Sequence, residues 1–93
     1  MQIKLGNTTY DTGKLTGAAL WESLEFEELV KAEKSKIKQL NMMAEQVVKL
    51  YGNQFTVEDI KNGLEAHETW GELNAQCFGV GFKLAEKVNV KNE

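Results

Sequence analysis

His67 and Cys77 are the chain's single histidine and single cysteine, and they nearly exhaust its scope for side-chain chemistry. One His and one Cys cannot complete a zinc site, and a lone Cys cannot close an internal disulfide. His67-Glu68 lacks the second His four residues on that a zinc-protease helix needs. Ser23 and Ser35 lie in charged helical stretches far from His67 in sequence, which leaves few ways to assemble a catalytic triad. Gly79-Val80-Gly81 has neither the third glycine nor the preceding strand of a phosphate-cradling loop. Glu22, Glu25, Glu27 and Glu28 could attract a hard cation, but no loop supplies the alternating oxygen ligands that calcium wants, so they read as a solvated helix face. Cys77 falls on an apolar stripe and reads as a small core residue, and His67 as a helix-start or surface residue. These residues predict no catalytic group, no metal site, no cofactor and no enzyme.

What remains is surface, and the helix that would carry it lies near the end of the chain, over about 68–86. Trp70, Leu73, Cys77, Val80 and Leu84 recur at steps of 3, 4, 3 and 4, and Ala75, Phe78, Phe82 and Ala85 make a second stripe beside them. A helix apolar over so much of its circumference is either central in its bundle or buries part of itself against another chain. Phe78 and Phe82, with Trp70 as the alternative, are the candidate partner-binding residues, since aromatic side chains dominate interface energetics. Gly71, Gly79 and Gly81 each cost a helix interior about 1 kcal/mol relative to Ala. That cost implies a close backbone approach, a break near 79–81, a helix ordered by its partner, or a locally weak helix; the sequence leaves all four open.

The elements that must position this helix are read from a junction at residues 51–60. Upstream, Ile37, Leu40, Ala44, Val47, Val48 and Tyr51 fall on one stripe of a helix spanning about 36–51. Gly52 suits the left-handed residue that ends it. Downstream, Thr56 can cap a helix over about 57–63 by accepting from the amide of Asp59, a contact worth about 1 kcal/mol. Phe55 before the cap and Ile60 four residues after it are spaced as a hydrophobic staple. Gly63 is expected to end that helix as Gly52 ends the one before.

Toward the N-terminus, Ile3 and Leu5 alternate with Gln2 and Lys4, and Gly6-Asn7 separates them from Thr8, Thr9 and Tyr10, the pattern of a short hairpin. After Gly13-Lys14, Thr16 can cap a first helix with Leu20, Trp21, Leu24 and Leu29 facing inward and Phe26 off the stripe. Whether that helix runs on or breaks before Ser35 is not decided by residues 30–36. Residues 87–93 read as a frayed end. The fold class is therefore mostly α: a hairpin of residues 2–10 packed beside a bundle of three to four helices, an α+β arrangement.

With 93 residues, 42% hydrophobic and 27% charged, the chain is expected to form one domain over 1–93 with a single core. The net charge of −3 and the absence of a basic stripe argue against nucleic acid. Met1-Gln2-Ile3-Lys4-Leu5 lacks the apolar core of a signal peptide and no run approaches a membrane span, so a soluble, intracellular protein is expected and Asn7-Thr8-Thr9 reads as a turn.

Gly52-Asn53-Gln54-Phe55-Thr56, followed by Val57-Glu58-Asp59 and Gly63-Leu64-Glu65-Ala66-His67-Glu68, resembles the tail assembly chaperones of long-tailed, siphovirus-like bacteriophages and prophages. The extended start ending in Leu5-Gly6-Asn7, and Lys14-Leu15-Thr16-Gly17 leading into Leu20-Trp21-Glu22-Ser23-Leu24-Glu25-Phe26-Glu27-Glu28, look like that family's hairpin and first helix. The chain departs from the family's pattern at Trp70-Gly71, where an apolar residue followed by Pro is expected. The resemblance implies a non-catalytic protein that binds the tape measure and tail tube proteins until the tube polymerises. It also implies action in the host cell cytoplasm and absence from the mature virion, and it leaves a homo-oligomer open. The alternative is a generic helical adaptor or small regulatory subunit of a bacterial complex.

Overall fold

The structure, a computed structural model, describes the backbone of residues 1–92 and the side chains of residues 1–79. Two strands, β1 (Gln2–Leu5) and β2 (Thr8–Asp11), precede four helices: α1 (Gly17–Ala32), α2 (Lys36–Leu50), α3 (Val57–Gly63) and α4 (Ala66–Asn92). The architecture is mostly α with a small antiparallel β part, the class read from the sequence.

The hairpin pairs Ile3 with Tyr10 and Leu5 with Thr8, so Gly6-Asn7 is a two-residue turn. Gly6 sits at φ +62°, the left-handed conformation that this turn needs at its first central position. Ile3 and Leu5 point into the core while Gln2 and Lys4 are exposed, the period-two alternation of a strand resting on helices by one face.

α2 ends at the Schellman pattern that Gly52 makes available. Gly52, at φ +64°, donates to the Lys49 carbonyl at 3.0 Å, and the amide of Asn53 donates to Val48 at 3.0 Å. Across the loop, the Thr56 hydroxyl accepts from the Asp59 amide at 3.2 Å, and the Asp59 carboxylate accepts from the Thr56 amide at 2.9 Å. That reciprocal pair is a capping box and satisfies two of the amides a helix start leaves free. Phe55 and Ile60 are both buried in the same cluster as Tyr51, Val47, Met43, Leu73 and Cys77. Fully burying an apolar side chain of this size stabilises by about 1.5–3 kcal/mol.

Three local readings need correction, and one left open, the end of α1, is decided. Thr16 precedes α1 but its hydroxyl makes no cap bond. The chain breaks after Ala32, where Gln39 turns back to donate to the Val30 and Glu33 carbonyls and Ser35 caps α2 through the Lys38 amide. Gly63 is the last residue of α3 without adopting a positive φ; its part is steric, because a Cβ there would lie 2.7 Å from the Leu5 Cβ. Gly6 donates to the Gly63 carbonyl at 2.9 Å, so this contact seats the hairpin turn on α3. α4 begins at Ala66 and its backbone is helical to Asn92, without a break at 79–81 and through the segment read as frayed.

The largest correction concerns α1. Ser23, Phe26 and Val30 are its buried residues, whereas Trp21, Leu24 and Leu29 are 66%, 52% and 62% exposed. α1 carries apolar side chains on two faces, and the one that wins is the one α4 can match. Phe26 stacks on Phe78 at 6.2 Å between centroids, and the small Ser23 lets the helices close until its hydroxyl donates to the Cys77 carbonyl at 3.1 Å. A bulky residue such as Trp21 on that face would hold the helices apart.

Gly71 and Gly79 have nothing within 4 Å of where a Cβ would stand, which removes close backbone approach as their explanation. Gly71→Ala should therefore stabilise the protein by about 1 kcal/mol. A urea-denaturation midpoint shifted upward checks it; a fall would mean that the exposed position is occupied in solution.

Candidate functional site

The polar groups of the interior are tied to one another and none among the described residues is left buried without a partner. The Tyr51 hydroxyl donates to Gln76 Oε1 at 2.6 Å, and Gln76 Nε2 donates to the Gln2 carbonyl at 2.8 Å and to Glu72 Oε1 at 3.0 Å. Burial, with the Glu72 and Asp11 charges nearby, pushes the Tyr51 phenol well above its usual range and keeps it a donor. Cys77 is buried, its thiol donates to the Met43 carbonyl at 3.4 Å, and burial pushes its pKa up to about 12. A thiol so held is not a nucleophile near neutral pH. His67 lies at the exposed start of α4 beside Glu65, at 3.4 Å. Among the described residues no group of His, Cys, Asp and Glu is placed to hold a metal ion. Ser23 and Cys77 meet in the interior through the Ser23 hydroxyl and the Cys77 carbonyl, while His67 lies apart at the exposed start of α4, so no triad forms among the described residues.

Two apolar surfaces are left as candidates. One is a cleft of about 340 Å³ where α1, α2 and α4 meet, lined inside by Val30, Met43 and Phe78, with Lys31, Gln39 and Trp70 among the residues at its edge. Trp70 is 41% exposed, and the Lys36 ammonium stands 5.1 Å from its ring, a cation–π contact that holds the indole at the rim. Phe78 is half-buried and packed on the core through Phe26, so it serves the fold and the cleft together. Phe82 lies outside the described side chains. The cleft thus brings two of the three aromatic candidates of α4 together.

The second surface is the outward face of α1, where Leu20, Trp21, Leu24, Glu25 and Glu28 line an open hollow of about 370 Å³. Sequence reasoning assigned these apolar residues to the core. The signal that could have corrected it is the alternative stripe of Ser23, Phe26 and Val30, spaced 3 and 4, which puts an aromatic and a small residue together. Gly52, Phe55, Thr56 and Ile60 lie at the α2–α3 junction, away from either surface in their contacts, and hold the helices in place.

Among the described residues the protein is a small helical bundle with its buried polar side chains paired, its thiol buried and apolar side chains of α1 left exposed. The chain belongs to the phage tail chaperone proteins, a family that matches it over residues 1–93. Comparison with the curated proteins and with the solved structures yields no match. No helix among the described residues is long and apolar enough to cross a membrane.

Proposed function

We propose that the protein is a tail assembly chaperone that binds the tape measure and tail tube proteins in the host cytoplasm while the tail is built, acting by binding and not by catalysis. The observation that carries this reading is the family match over residues 1–93. The α1–α2–α4 cleft supports it, because a holding protein needs desolvable aromatic surface and no reacting group. Trp70, Phe78 and Phe82 are proposed as the contact residues of α4. Trp70 is exposed where Phe78 is packed against the core, so Trp70 separates binding from folding.

Coexpression with tape measure or tail tube protein, followed by copurification, tests the reading. Both should be retained by the parent chain, and Trp70→Ser should weaken capture by about tenfold or more while the melting temperature stays near the parent's. Phe78→Ser should lower stability as well, since it removes the ring stacked on Phe26. Failure of both tail proteins to copurify would refute the proposal, and the generic helical adaptor would then be the better account.

A further inference from the structure

We infer that the outer face of α1 is a second docking surface, separate from the α4 cleft, and that its occupant is an amphipathic helix whose apolar stripe is flanked by lysine or arginine. That this helix belongs to a tail protein rests on the chaperone reading; the chemistry of the surface does not.

Leu20, Trp21 and Leu24 stand at i, i+1 and i+4, so they cluster on one side of α1, and Trp21 and Leu24 are more than half exposed. They line one hollow, large enough to receive side chains from a facing helix. Charge selects the occupant. Glu25 and Glu28 line the same hollow, each four residues after an apolar member, Trp21 or Leu24. The ion pair recorded on α1 among the described residues joins Glu27 to Lys31 at 2.9 Å and uses neither of them. Two carboxylates beside a desolvable patch attract a helix with cationic flanks and repel an acidic one or an anionic lipid surface. A second copy of the chain offers a basic counterpart in Lys34, Lys36 and Lys38 around the exposed Ile37. One isoleucine cannot cover a patch of three residues, and Lys36 is already held over Trp70. A helix with a full apolar stripe fits better.

The experiment uses the intact chain carrying Trp70→Phe, so that Trp21 is its remaining tryptophan. The probes are two model peptide helices with the same leucine stripe, one flanked by lysine and one by glutamate. The lysine-flanked helix should bind saturably, shift Trp21 emission to the blue, and bind about tenfold or more tighter than its glutamate counterpart. Glu25→Lys combined with Glu28→Lys should invert that preference. Leu24→Ser should abolish the shift with an unchanged circular dichroism spectrum. Equal binding of the two helices, or an unmoved Trp21 emission, would overturn the inference. So would self-association of the parent that Leu24→Ser converts to monomer, because the occupant would then be a second copy. Tape measure capture that survives Leu24→Ser together with unselective peptide binding would sink this surface and leave the chaperone reading standing. Selective peptide binding without capture of any tail protein would do the reverse.

Discussion

Phe55→Ala should lower the unfolding free energy by about 3–5 kcal/mol, read from urea denaturation of the purified chain. Phe55 is buried in the loop between α2 and α3, with its ring 4.8 Å from that of Tyr10 and 5.3 Å from that of Tyr51. It therefore joins the hairpin, the end of α2 and the start of α3 at one point. Truncation leaves a cavity bordered by elements that are each pinned elsewhere: Tyr51 by Gln76, the hairpin by Gly63, and α3 by its capping box. None can relax far into the space, which places the cost toward the upper end for an aromatic deletion. Phe55→Leu should recover a good part of it. A loss under about 1 kcal/mol for Phe55→Ala would mean that the loop packs elsewhere in solution.

The second large effect has the opposite sign from the ordinary rule for its substitution. Alanine in place of a helical glycine normally stabilises by about 1 kcal/mol. At Gly63 the new methyl would fall 2.7 Å from the Leu5 Cβ and 3.0 Å from the Leu5 Cα, and the latter is backbone that cannot swing aside. Gly63→Ala should destabilise by about 1–3 kcal/mol, and Gly63→Val by more. The same exchange at Gly71, in open space, gains stability, so the pair serves as an internal control. Gly63→Ala as stable as its parent would show that the hairpin does not sit on α3.

The contrast between these glycines marks where sequence reading stops. Positions whose conformation is set by their neighbours in the chain were legible: Gly52 at a helix end, Gly6 in a two-residue turn, Thr56 and Asp59 three residues apart. Gly63 was legible as a helix end but not as the seat of Leu5, because that contact joins residues far apart in sequence. The same limit explains α1. Its apolar residues fall on two faces, and periodicity counts Leu20, Trp21 and Leu24 as readily as Phe26 and Val30. What decides between them is the partner, namely Phe78 stacked on Phe26 and the Cys77 carbonyl taking the Ser23 hydroxyl. The α4 aromatics were recognisable as candidates from their spacing, but Phe78's place against the core depends on that same pairing. The exposed side of α1 is not legible in the sequence because an apolar residue on a helix is by default assigned inward.

The bond from Gln76 to the Gln2 carbonyl spans 74 positions of a 93-residue chain, and it bears on how the protein is made. Closing a loop of that length in a flexible chain costs on the order of 4 kcal/mol of entropy, which local helix formation does not offset. The hairpin leaves the ribosome before α4, and this hydrogen-bond partner is not synthesised until the helices between them have followed. Until then the core cluster that Ile3 and Leu5 share with Leu73 and Cys77 of α4 is incomplete. Completion of the core thus waits on the synthesis of α4 and its return to β1.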